Sequence, residues 1–406
     1  MNSLTVERKV QLQDVNSYIL MLIAFSIPLS VAIPNLLAAI VLVIWIIIGN
    51  FKSDWNKLKS NKVILSVLVF FTLHIIGLLW TNSLEFGFLA LKKDLKLLLI
   101  PLFMLFTKKE HIQYYIYAFL LAISLAELSS YAVYFEIIAP FMHATLELPT
   151  PFLGHIIYNP LLAIAVYILL LYLLLSKNIL TKQKILYSIF LFTMSVNMFI
   201  TGGKAGQVLY FAIILIVLFQ YFNTQKLKAF ILSTIIIPTI FTLAYFNSSI
   251  FHERFNDLYK TIIAMESTNE SSSTSQRLNY LLNSIVIVER NPIIGVGTGG
   301  FRLAYDKINK EKSPNFMTTI NPHNMYIFEL AELGILGFIS LLSIFYNQIV
   351  IALKIEDKTF RLLAITFPIL FLIIMFTERY LLISNTAYLF ALFSAFLYKD
   401  YPIAEE

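Results

Sequence analysis

The stretch NPHNMYIFELAELGILGFISLLSIFYNQIVI, residues 321–351, turns within a few residues from polar to apolar and stays largely apolar to its end. That length exceeds the ~20 apolar residues with which an α-helix crosses ~30 Å of hydrocarbon. On its N-terminal side lies one long polar segment, Asn247 to Pro322, in a chain that is otherwise almost continuously apolar. Of 406 residues, 58% are hydrophobic and 13% charged, and the mean hydropathy is +0.77. A soluble domain carries ~25% charged residues, so that class is excluded. The fold class expected is an all-α polytopic membrane protein.

Apolar runs of span length give about twelve transmembrane helices. Nine fall within residues 1–246 and three within 323–406, with residues 247–322 as one long outer loop containing short helices. The shortest runs are Ser17–Ser30, Lys96–Phe106 and Ile185–Phe199. Basic residues collect in alternate short loops: Arg8 and Lys9, Lys52 to Lys62, Lys108 and Lys109, Lys177 to Lys184, Lys226 and Lys228, Lys354 to Arg361, and Lys399. The opposite short loops carry only Lys92, Lys93, Lys96, Lys204 and Arg379. By the positive-inside rule both termini are cytoplasmic and the long loop faces outward. The net charge of +6 then reads as topology, not as a nucleic-acid surface. No cleavable leader is expected, because the first apolar run is followed at once by a second. Thr81–Asp94, too polar to span but apolar at Leu84, Phe88, Leu89 and Leu91, reads as a helix lying in the outer interface.

Zero cysteines exclude disulfides and thiol catalysis, and six scattered histidines show no ligand spacing, so neither a metal nor a cofactor is expected. His143 and His155 sit in an outer loop, where a histidine is usually a solvated bystander. The turn Thr201-Gly202-Gly203-Lys204-Ala205-Gly206 leaves Lys204 at a span end. It reads either as a snorkelling anchor or as an anion partner facing a polar cavity. Within the long segment, helical spacing recurs over Phe251–Met265 and Gln276–Val288, and a serine patch (Ser271, Ser272, Ser273, Ser275) offers helix caps before Arg277. A cation in a first helical turn opposes the helix dipole unless an anion is present. Arg254, Arg290 and Arg302 add further cations. Gly295, Gly297, Gly299 and Gly300 permit close backbone approach and present N–H groups to an anion. His323 and Asn324 open the span that carries Glu329, Glu332, Gly334 and Gly337. The imidazole reads either as an interfacial cap or as a base suited to proton transfer near neutral pH.

The runs NPIIGVGTGGF and NPHNMYIFELAELGILG together resemble the signature region of the O-antigen ligase and polymerase superfamily of bacterial inner-membrane glycosyltransferases. The matching residues are Gly295, Gly297, His323, Asn324, Glu332, Gly334 and Gly337. ITGGKAG is similar to that family's Thr-Gly-Ser-Arg-Gly turn, with Lys204 where arginine is usual, and SQRLNYLLNSI is similar to its Ser-x-Arg segment. The motifs cover about a third of the chain, Thr201 to Gly337. The resemblance implies a GT-C-like arrangement and metal-independent transfer of a glycan from undecaprenyl pyrophosphate at the periplasmic face of the inner membrane. It implies His323 as base and Arg277 with Lys204 as pyrophosphate clamp, with Arg302 and Arg290 as further contributors. The acceptor expected is the lipid A-core oligosaccharide of a ligase. A polymerase of the same superfamily, or a lipid-linked sugar transporter or flippase, is the alternative. Glu127 and Glu136 are the mid-span charges that the transporter reading would use.

Overall fold

The computed structural model describes residues 5–176, 179–263 and 273–400. Ser271 and Ser272 of the serine patch, Met265 and Lys177 lie outside them. The first part comprises α1 (Val6–Ser26), α2 (Ala32–Ile48), α3 (Phe51–Leu58), α4 (Lys62–Ile76), α5 (Leu84–Asp94), α6 (Leu99–Phe106) and α7 (Ile112–Tyr134). Then follow α8 (His155–Leu175), α9 (Thr181–Ile200), α10 (Lys204–Tyr221) and α11 (Lys226–Asn247). The polar segment forms α12 (Ser249–Ile263), α13 (Ser273–Arg290) and α14 (Phe301–Lys312). The chain closes with α15 (Met325–Ala352), α16 (Lys358–Ile374) and α17 (Ser384–Leu397). No strand occurs among the described residues.

The protein is a polytopic helical membrane protein. Among the described residues, seven helices have the length and hydropathy to cross a membrane, and eight if α2 and α3, bent by 115°, form one broken span. Every expected run contains a helix, but lengths differ from the expectation in both directions. Ser17–Ser30 overlaps the C-terminal half of the 21-residue α1. Lys96–Phe106 is interrupted: a 3₁₀ turn at Leu95–Leu98 precedes the eight-residue α6, which reaches only about 12 Å. The run expected to extend to Ala139 stops at Tyr134, and Glu136 lies exposed beyond it with φ +57°. Glu127, by contrast, is fully buried.

Burial ranks the helices. Over its span α8 is 72% buried and α11 only 17%, so α8 runs through the bundle centre and α11 presents its apolar side chains to lipid. The short α17 is buried at every position from Asn385 to Leu397. Helix α14 had no counterpart in the sequence reading. Its Phe301, Tyr305 and Ile308 recur at helical spacing and pack with Ile287 and Phe328.

The glycine-rich turn and α15 are built into each other. Helix α15 breaks at Gly334, where φ is +61° and ψ −154°. A break leaves backbone groups without their i→i−4 partners, and buried groups need replacements. The turn supplies them: Val296 N–H donates to Ala331 O at 2.9 Å, Gly297 N–H to Glu332 O at 2.8 Å, and Ile335 N–H to Pro292 O at 2.9 Å. The two chains pass so closely that a Cβ on Gly334 would lie 2.3 Å from the Ile293 carbonyl, and one on Gly295 (φ +65°) 2.3 Å from that of Glu332. The N–H groups read from sequence as anion donors are therefore spent on the protein itself. Thr298 extends the tie to α4, donating its hydroxyl to His74 O at 2.7 Å.

Candidate active site at the head of α15

Lys204, Arg254 and Arg277 share a cavity of about 220 Å³ with His155, Thr274, Thr377 and Tyr380. Lys204 is delivered by the turn after α9: Gly203 and Gly206 let α10 press against Asn159 of α8, whose amide bonds Met198 O at 3.1 Å and receives the Thr201 hydroxyl at 3.0 Å. Arg277 projects from the first turns of α13, and Lys204 Nζ lies 3.5 Å from Thr274 Oγ1 on that helix. Three cations converging on one pocket repel one another, so the arrangement suits an anionic occupant. His155, which its loop position had marked as a bystander, begins α8 and lines this pocket.

His323 does not start α15; it precedes the helix, with φ +53°, and Asn324 is the cap, accepting from Tyr326 N–H at 3.0 Å and Ile327 N–H at 3.1 Å. Asn321 Oδ1 accepts the His323 N–H at 2.9 Å, which helps hold the unusual backbone. The imidazole stacks on Tyr280, one turn along α13 from Arg277, with ring centroids 5.8 Å apart. Its Nδ1 lies 2.5 Å from Glu378 Oε2. Glu378 sits in the α16–α17 turn between Thr377 and Tyr380, both of which line the cationic cavity. His323 does not itself line that cavity; Glu378 ties it to the turn whose Thr377 and Tyr380 do.

Burial alone would raise the Glu378 carboxyl, but the bond and charge of His323, the Arg379 N–H and the Asn321 amide outweigh it and hold it down at about 2. An ionised carboxylate only accepts, so Nδ1 carries the hydrogen, and in the neutral ring Nε2 is then the nitrogen with the lone pair that can take up a proton. The imidazole is 25% exposed, which leaves a path to that nitrogen. Stability from Glu378 ionisation is fully present above its ordinary value of 4.5 and is lost as pH falls through about 2. Thermal denaturation of detergent-solubilised protein from pH 5 to 2 is expected to show wild type losing up to about 3 kcal/mol more than Glu378→Gln. Parallel curves would contradict the assignment.

The same turn borders a second cavity, of about 140 Å³, lined by His74, Lys93, Asp94, Arg302, Glu332 and Arg379 among apolar side chains. Glu332 accepts the Gly299 N–H at 3.0 Å, while its Oε2 has no hydrogen-bond partner among the described residues. Glu329, fully buried, lies 3.4 Å from His74 Nε2. Burial pushes the Asp94 carboxyl up to about 6 against the pull of His74. Arg379 covers the Phe328 ring at 4.3 Å, and Arg302 the Phe86 ring at 4.8 Å.

Residues 189–342 match the family model described as O-antigen ligase. The match covers less than half of the chain, which over this segment is similar to that family. A Haemophilus influenzae protein described as uncharacterized is 29% identical over 212 residues, 49% of this chain and 52% of that protein. The chain therefore spans about half the length of this curated relative.

The matched segment contains Lys204, Arg254, Arg277, His323 and Glu332; Glu378, Arg379, His74, Asp94 and His155 all lie outside it. Of the four cations singled out from sequence, Lys204 and Arg277 meet in one cavity. Arg302 lines the other, and Arg290 lies at the surface paired with Glu311 at 3.1 Å. An apolar cleft of about 570 Å³ runs along the segment's flank between α9, α10 and α11, lined by Leu191, Val196, Phe199, Tyr210, Ile240 and Leu243 among others. Its upper residues, Ile200 and Ser248, adjoin Gly202 of the cationic cavity through the short turn after α9.

Proposed function

We propose that the protein is an O-antigen ligase. It would transfer a glycan from undecaprenyl pyrophosphate to the lipid A-core oligosaccharide at the periplasmic face of the inner membrane. The observation that carries this reading is the convergence of Lys204, Arg254 and Arg277 on one pocket beside a carboxylate-held imidazole, within a segment similar to the O-antigen ligase family. The cations hold the pyrophosphate and stabilise the charge that grows on it as the bond to the sugar C1 breaks. His323 Nε2 takes the proton of the attacking hydroxyl, and Glu378 fixes the tautomer and stabilises the imidazolium that forms. Pyrophosphate leaves well without a second acid, so one inverting displacement suffices. The carrier's isoprenoid tail lies in the apolar cleft, which adjoins the cationic pocket.

Arg277→Ala is expected to weaken donor binding about 30-fold, roughly 2 kcal/mol for a charge-assisted contact to phosphate. Binding of undecaprenyl pyrophosphate to protein in lipid nanodiscs measures this, and unchanged affinity would remove Arg277 from the clamp. One observation favours the transporter reading: His74, Glu329 and Glu332 are ionisable groups buried within spans. They cluster against the α16–α17 turn instead of marking a path through the bundle. A reconstituted assay separates the two, since a ligase forms a covalent product and a flippase only relocates its lipid.

A further inference from the structure

The α16–α17 turn divides two cavities of different character: the first gathers cations, and the second sets Glu332 and Asp94 among Lys93, Arg302 and Arg379. Thr377 and Tyr380 face the cationic one, Arg379 and Leu382 the other, and Glu378 between them holds His323. In the second cavity Glu332 is 2% exposed, with Oε2 unpartnered among the described residues, and buried Asp94 and His74 stand beside it. Arg379, on the same wall, has its Nε without a partner among the described residues. Buried polar groups left unpaired are costly, so Glu332 Oε2 and Arg379 Nε together call for a ligand that both donates and accepts. Among the described residues no three His, Asp or Glu side chains converge to hold a metal ion. An ionised phosphate accepts hydrogen bonds but has no hydrogen to give Glu332. Hydroxyl groups remain, and the apolar rims of Phe86, Phe301 and Phe328 suit the C–H face of a sugar. The volume equals several waters at ~30 Å³ each, room for part of one ring and not for an oligosaccharide.

We propose that this cavity of mixed charge is the acceptor subsite, in which Glu332, Asp94 and Arg379 bind the hydroxyls of the accepting sugar while the donor's pyrophosphate occupies the cationic cavity across the turn. The assignment rests on the transferase reading above. Ile320, at the cavity wall, is three residues from His323, and Arg379, on the same wall, adjoins Glu378, so the cavity lies against the segments that hold the base. The accepting glycan is borne either by lipid A or by a second carrier lipid. Both offer the same hydroxyl chemistry.

The test uses full-length protein in lipid nanodiscs and native mass spectrometry with three probes: undecaprenyl pyrophosphate, lipid A bearing only its core sugars, and an undecaprenyl-pyrophosphate-linked oligosaccharide. Glu332→Gln keeps an acceptor for the Gly299 N–H, and Ala90→Leu narrows the cavity from its wall. Each is expected to weaken the core glycolipid, or the second equivalent of the carrier-linked oligosaccharide, at least 10-fold. The first loss marks a ligase and the second a polymerase. Undecaprenyl pyrophosphate binding stays within twofold, which also reports an intact fold. Asp94→Asn repeats the test if either variant fails to fold. Acceptor binding unchanged in the variants, absent from wild type, or lost together with undecaprenyl pyrophosphate overturns the proposal. Failure of wild type to bind undecaprenyl pyrophosphate overturns instead the transferase reading beneath it.

Discussion

His323→Asn is expected to slow glycan transfer by ~10²- to 10⁴-fold, the usual contribution of a positioned general base, while undecaprenyl pyrophosphate binding stays at its wild-type level. Asparagine is the informative replacement because His323 stands at φ +53°. Asparagine tolerates that left-handed backbone better than most residues, whereas alanine would add strain to the loss of the ring. The amide cannot take up a proton, so the acceptor hydroxyl must ionise unaided. On the proposed function the donor's phosphates sit on Lys204 and Arg277 and not on the imidazole, so the defect belongs in turnover and not in donor affinity. Transfer measured with a carrier-linked donor in proteoliposomes decides the matter: full activity in His323→Asn excludes the base, and a loss confined to donor affinity reassigns it to binding.

The second large effect is on the fold. Gly334→Ala is expected to cost about 2–6 kcal/mol, from strain of ~1–3 kcal/mol at a backbone conformation essentially confined to glycine plus overpacking of ~1–3 kcal/mol. The new methyl would meet the Ile293 carbonyl at 2.3 Å, a backbone atom that cannot swing aside as a side chain would. Gly295→Ala repeats the conflict from the other strand of the crossing, against Glu332. Since the same crossing carries the Gly299 bond to Glu332 and the Thr298 tie to α4, loss of structure spreads to the cavity that Glu332 lines. The fraction of protein surviving a heat challenge as a monodisperse species on gel filtration reads this out. Wild-type survival of both variants would show that the crossing is far looser than its distances state.

Hydropathy made the membrane helices legible because burial in lipid depends on local composition alone. The charges were partly legible. Lys204, Arg277 and His323 stood out as polar residues at span ends or beside glycines, and they do gather near one end of the bundle. Their partners did not stand out, because partnership is a tertiary fact. Glu378 lies 55 residues from His323 and reads as an ordinary turn carboxylate. Its one sequence signal is an acid next to an arginine in a very short turn between apolar runs. His74 was hidden differently, as a polar residue inside an apolar run that was counted by its average. An ionisable side chain within a span is itself a pointer, and here it leads to Asp94, Glu329 and Glu332. The glycine-rich turn was read correctly as a place of close approach, but toward a ligand. What approaches is the broken helix beside it.

The apolar cleft along α9, α10 and α11 opens on the side of the bundle, where Phe192 and Leu243 are 70% and 59% exposed. With a carrier tail lodged there, substrate arrives sideways from the bilayer and the spent carrier departs the same way, neither passing through water. Supply then depends on two-dimensional diffusion and on the mole fraction of carrier among the surrounding phospholipids. The natural rate law for such a protein is written per unit of membrane area.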